Sequence, residues 1–106
     1  MDDPAIIEWR TFMSKWYPEG DKADGVNANA YTASQMLVQV LKQCGEDLTR
    51  ENVMRQAANL HHLALPMLLP GITVNTSLTD FRPIKEERMA RFDGQHWVLF
   101  GPVLTA

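Results

Sequence analysis

The chain has 106 residues, 45% of them hydrophobic, a formal charge of -3 and a single cysteine. That size allows one core, burying roughly two thirds of the surface the unfolded chain exposes, and the scattered Lys and Arg residues make no basic stripe of the kind phosphate backbones demand, which argues against nucleic acid as a partner. One cysteine excludes an internal disulfide, and with neither a basic leader nor an apolar run of bilayer length the sequence reads as a soluble chain without an export address.

Asp3-Pro4 opens the first predicted helix, because aspartate caps free N–H groups and proline at the first helical position has no N–H to satisfy. Ile6, Trp9, Phe12, Met13 and Trp16 then recur on one face, with Glu8, Arg10 and Lys15 mostly elsewhere, as far as Trp16-Tyr17-Pro18. Trp9, Trp16 and Tyr17 have the makings of a platform for a sugar or quaternary amine, but their helical spacing beside Ile and Met points to packing. Glu19 to Gly25 reads as a polar loop; Asp21 and Asp24 lack the alternating oxygen ligands and closing glutamate of a calcium loop.

A second helix is predicted from Asn27 or Asn29 to Cys44, with Ala30, Ala33, Met36, Leu37, Val40, Leu41 and Cys44 forming a stripe broad enough to meet more than one neighbour. Cys44 reads as a small buried side chain rather than a reactive thiol. Gly45 supplies the left-handed residue that closes a helix. Leu48-Thr49 restarts the chain: Thr49 caps, Glu51 complements the helix dipole, and Leu48 is placed to staple onto Val53. The capping box is incomplete, since Asn52 stands where Glu or Gln is expected. Val53, Ala57 and Leu60 would continue the buried face of this third helix.

Leu63 to Pro70 is apolar but broken by Pro66 and Pro70, an ordered connection rather than an element. Ile72, Val74 and Thr76 alternate as a short strand does, and Asn75-Thr-Ser77 matches a glycosylation sequon of a kind that arises often by chance. Asp93-Gly94 is the strongest hairpin signal in the sequence. A two-residue turn there sets Phe92 opposite Gln95, Ala90 opposite Trp97 and Arg88 opposite Leu99. Phe92, Ala90, Trp97 and Leu99 then share one side, and Met89, Val98 and Phe100 the other.

Chemistry is sparse. His61-His62 point about 100° apart on a helix and share a metal poorly, and a helix dipole accounts for them without one. Glu86-Glu87 would point to opposite sides of a strand into solvent. No nucleophile elbow, phosphate-cradling loop or metal-ligand spacing occurs, so no enzymatic activity, cofactor or metal is expected.

Tyr31-Thr-Ala-Ser-Gln-Met-Leu37 leading to Gly45, followed by Leu48-Thr-Arg-Glu-Asn-Val53, resembles the C-terminal part of the solute-binding proteins of ABC transporters for branched-chain amino acids. Asp2-Asp3-Pro4 with an aromatic helix ending in Tyr17-Pro-Glu-Gly20, Leu69-Pro-Gly-Ile-Thr-Val74, and Arg91-Phe-Asp-Gly94 with Trp97 agree in order, so the likeness spans nearly the whole chain. It implies an α/β fold, the C-terminal portion of a type I periplasmic-binding protein in which two lobes close on a solute and present it to a membrane permease. Residues 1–106 would be one fragment: 1–69 the helical part of one lobe, 70–106 a hinge-proximal strand and hairpin. The family's solute contacts come mainly from earlier sequence, and none carries over residue by residue. Asn29 and Tyr31, at the start of the second helix, are the positions nominated beside the cleft, with capping and packing as the alternative. The resemblance implies a periplasmic location and a small-molecule solute, an amino acid or a relative. As an isolated fragment the chain is expected to expose Trp9, Phe12, Trp16 and the broad face of the second helix, and to form a homo-oligomer that hides them. The competing expectation is a small stand-alone interaction or scaffold domain that binds no solute.

Overall fold

The computed structural model describes residues 3–105; Met1, Asp2 and Ala106 lie outside the described residues, and with them the first position of the Asp2-Asp3-Pro4 motif. Three helices, α1 (Pro4–Trp16), α2 (Gly25–Cys44) and α3 (Arg50–Ala57), precede a two-stranded antiparallel sheet of β1 (Glu86–Phe92) and β2 (Trp97–Thr105). The fold is mixed α/β.

α1 opens as its sequence dictates, with Asp3 Oδ1 accepting from the Ala5 N–H at 2.9 Å and Pro4 at the first helical position. Its inward face is narrower than the apolar pattern suggested. Trp9, expected to be uncovered, is 4% exposed, and Met13 one turn later is buried, whereas Trp16 is 67% exposed. The loop behind α1 folds so tightly that a Cβ at Gly20 would run into the Tyr17 ring and the Met13 methyl.

α2 starts at Gly25, earlier than predicted, because the two acids considered for calcium are its entry locks. Asp24 Oδ1 accepts from Val26 N–H at 2.9 Å, Asp21 Oδ1 accepts from Ala23 N–H at 2.8 Å, and Asn27 Nδ2 donates to the Asp21 carbonyl. Asn27 and Asn29 therefore sit inside the helix and cap nothing. Gly45 closes α2 at φ 61°.

The α2–α3 corner is organised by Asn52. Thr49 Oγ1 accepts from the Asn52 N–H at 3.3 Å; the buried Asn52 side chain donates from Nδ2 to the Asp47 carbonyl at 2.8 Å and the Cys44 carbonyl at 3.5 Å, and accepts at Oδ1 from Gln56 Nε2 at 3.3 Å. The residue that spoiled the capping box thus satisfies carbonyls left open where α2 ends. The proposed staple is not made in the expected way, since Leu48 is 62% exposed.

Leu60, predicted on α3, lies beyond it, because Thr76 ends the helix from outside. Thr76 Oγ1 donates to the Ala57 carbonyl at 2.7 Å and accepts from Leu60 N–H at 3.0 Å, and Thr76 N–H donates to the Leu60 carbonyl at 2.9 Å. His61 and His62 consequently fall outside the helix and are exposed, His62 at φ 49°, so the helix-dipole account of the pair does not apply. Residues 72–76 keep the predicted burial alternation, with Ile72, Val74 and Thr76 inside, but pair only through one bridge, Leu63 to Val74, with N···O distances of 3.1 and 2.8 Å. Pro66 and Pro70 on the facing segment keep it from extending into a strand. Asn75 Oδ1 accepts from His62 N–H at 2.9 Å and Nδ2 donates to Thr73 Oγ1 at 3.1 Å, so the sequon asparagine ties loops together.

Val40 and Cys44 of α2, Leu60 and Val74 form the buried core, with Met36, Val53, Ala57, Leu63, Leu65 and Leu68 around it. α1 adds Trp9 and Met13, and the hairpin is fastened by Glu86, whose Oε1 accepts from Thr73 N–H and Oγ1 at 3.0 and 3.1 Å. Glu86 is thus half-buried and engaged rather than solvated, while Glu87 is exposed.

In the hairpin Phe92 pairs with Trp97, Arg91 with Val98, Ala90 with Leu99 and Met89 with Phe100, a two-residue displacement from the predicted register. Asp93 is the cause. Its Oδ1 accepts from the N–H groups of Gln95 and His96 at 2.8 and 2.7 Å, which closes a four-residue loop, and these bonds hold its carboxyl below the usual aspartate range. A shift of two leaves the faces as predicted. Past Met89 the pairing jumps to Glu87 with Leu104, so Gly101, Pro102 and Val103 bulge opposite Arg88, with Gly101 at φ 73°.

The result is a slab of 49 × 36 × 19 Å with a radius of gyration of 15.9 Å, against about 13 Å for a globule of this length. Its accessible surface is 7923 Å², against roughly 6,000 Å² for a folded monomer of this mass.

Candidate functional site

An open groove lies along one side of α2, where Tyr31, Gln35, Val38 and Lys42 follow each other at helical intervals of four, three and four residues. Phe12 of α1 closes one end, its ring 5.0 Å from that of Tyr31 at an interplanar angle of 58°. Leu63, Ala64 and Leu65 form the facing wall, held by the Leu63–Val74 bridge. The groove encloses about 430 Å³, within the usual range for small-molecule sites.

Its polar groups are few and graded along the length. Ser34 Oγ donates to the Ala30 carbonyl at 2.9 Å and Gln39 Nε2 donates to Gln43 Oε1 at 3.1 Å, so both donors are engaged. Gln35 Oε1 is shielded from solvent and has no hydrogen-bond partner. Lys42 supplies a positive charge in the last turn of α2. An aromatic end and a cation suit an amphipathic molecule with an apolar body and a carboxylate, whereas Gln35 Oε1 is closed to it.

An unpartnered shielded oxygen costs stability, and its removal tests whether the groove is held open at such a cost. Gln35→Leu is expected to raise the free energy of unfolding by about 1 kcal/mol, read as a higher urea midpoint at unchanged slope. An unchanged or lower midpoint contradicts an orphaned Oε1.

Of the two nominated positions, Tyr31 lines the groove and is half-buried, whereas Asn29 stands exposed on α2 outside it. Gln35 and Lys42 were missed; the signal available was the polar line they make with Tyr31 beside the apolar stripe. Among the described residues no three His, Cys, Asp or Glu side chains gather as a metal site, and no helix is long and apolar enough to cross a membrane. Titration is displaced elsewhere. Asp80 is held well below the usual carboxylate range by its hydrogen bonds from Arg82, 3.0 Å away, and Arg82 is raised in turn. These pairs lock a surface turn and lie outside the groove.

Comparisons of the chain with family models, with curated proteins and with solved structures find no match.

Proposed function

We propose that the chain is the C-terminal segment of a two-lobed, type I periplasmic solute-binding protein of the branched-chain amino-acid class, a non-enzymatic module that hands its solute to a membrane permease. The observation that carries this reading is the uncovered apolar surface. The total surface, polar and apolar together, is about 1,900 Å² larger than that of a folded monomer of this mass, and many of the large apolar residues lie in it. Leu37, Val38 and Leu41 of α2, Trp16 of α1 and both faces of the hairpin contribute to it. Helices with such faces are what a lobe uses to cover a sheet, and the chain's own sheet has only two strands. The ordered motifs from Asp3-Pro4 to Trp97 support the same reading, as does a groove whose aromatic end and lysine suit a carboxylate with an apolar body. In this reading Tyr31 belongs to the cleft wall and Asn29 to its rim.

The test is calorimetry on the chain produced together with the reading frame upstream of its first codon, titrated with leucine, valine and an aromatic carboxylic acid. Saturable heat from the longer product, weakened about tenfold by Tyr31→Ala, is expected. A folded longer product that binds none of them overturns the reading. A stand-alone interaction domain without solute is the second reading, favoured by the continuous core from Val40 to Val74.

A further inference from the structure

One face of the hairpin is covered in part: Glu86 bonds Thr73 and Leu99 is half-buried beside Ile6 and Leu69, while Phe92 and Trp97 at its turn end stay exposed. The other face, made by alternation of Glu87, Met89 and Arg91 on β1 with Leu104, Phe100 and Val98 opposite them, is exposed at every position, the four apolar residues between 44 and 50%. We propose that this face is a two-fold interface with a second copy of the chain.

The argument is the order of the residues. Place a two-fold axis between two such faces, across the strands at Met89. β1 then stacks antiparallel on the partner's β1, and β2 on the partner's β2. Met89 meets its own symmetry mate, and Phe100, paired with Met89, does the same. Val98, two positions to one side, meets Leu104, which the bulge brings level with Glu87 on the other side. Glu87 and Arg91, about 13 Å apart along β1, each meet the other's charge. Every position of the face is thus matched under one operation: apolar on apolar, acid on base, twice. The face commits to a second copy because its own charge pattern is its complement, which an unrelated partner would have no reason to match.

The proposal concerns the isolated chain, does not depend on solute binding, and is tested by sedimentation equilibrium of residues 1–106. The wild type is expected to dimerise at about tens of micromolar. Glu87→Arg and Arg91→Glu, each placing two like-charge pairs at the interface, should weaken dimerisation by about tenfold singly. An equimolar mixture of the two should associate as a heterodimer with wild-type strength, because each supplies the charge the other lacks. Met89→Asp, which puts two carboxylates on the axis, should leave a monomer with an unchanged circular dichroism spectrum. The substituted side chains are exposed, so loss of association is separable from loss of fold. A monomeric wild type, a dimer indifferent to Met89→Asp, or a mixture no tighter than its components overturns the proposal. So does a monomer whose Met89 gains protection from peroxide only in the longer product, which would assign the face to upstream sequence. Absence of solute binding in that product would sink the functional reading and leave the dimer standing.

Discussion

Leu60→Ala is expected to lower the free energy of unfolding by about 3 kcal/mol, and Leu78→Ala by less than about 0.5 kcal/mol, in urea denaturation followed by circular dichroism. The chemistry of the two changes is the same. Leu60 is 4% exposed in the cluster with Val40, Cys44 and Val74, while Leu78 is 77% exposed. The Leu60 backbone is also fixed on both sides by Thr76, so the chain cannot readily collapse into the space left by the missing methyl groups. A slab this thin, with one main cluster at its centre, has few other apolar contacts to fall back on. Equal midpoints for the two variants would mean that the cluster is not where the stability lies.

Asn52→Ala is expected to cost about 2 to 3 kcal/mol, although it removes no apolar contact of the core. The cost comes from the carbonyls of Asp47 and Cys44, which lose the Nδ2 donor, and from Gln56 Nε2, which loses its acceptor, all in a corner where the side chain is buried. Asn52→Asp separates geometry from hydrogen bonding, since it preserves shape but turns the donor to two carbonyls into an acceptor; it should be at least as damaging as alanine. A loss below about 0.5 kcal/mol for either would show that the α2–α3 corner is held by Val53 and Ala57 packing alone.

The two residues also show where reading by sequence succeeds and where it stops. Asp3, Gly45 and Thr49 act on backbone groups within three residues of themselves, and all three roles are legible in the sequence. The two faces of the hairpin are legible too, because side-chain alternation survives any even displacement of register. The displacement itself is not, since it depends on one carboxylate choosing two N–H groups over solvent. The end of α3 depends on Thr76, sixteen positions from Leu60, and no local propensity reports on a hydroxyl so distant. Asn52 reads in the sequence only as a flaw in a motif, because the carbonyls it satisfies lie behind it, on Cys44 at the end of α2 and on Asp47 in the connecting loop. At the groove, Tyr31 follows from the resemblance, while the polar line that Gln35 and Lys42 make beside the apolar stripe gains a meaning only once Phe12 and residues 63–65 fold against it.

Pro102 sits in the bulge of β2, among the three residues that face Arg88 alone. A strand arriving along the free margin of β2 would find its ladder cut there: proline has no N–H to offer, and the neighbouring backbone is kinked out of line. Edge-on accretion of many hairpins into a fibre is therefore interrupted within a few residues, even though the hairpin is rich in the aromatic and branched side chains that such fibres favour. Replacing Gly101-Pro102-Val103 by a single residue would straighten that margin and is the change most apt to turn a chain of closed pairs into an open-ended polymer.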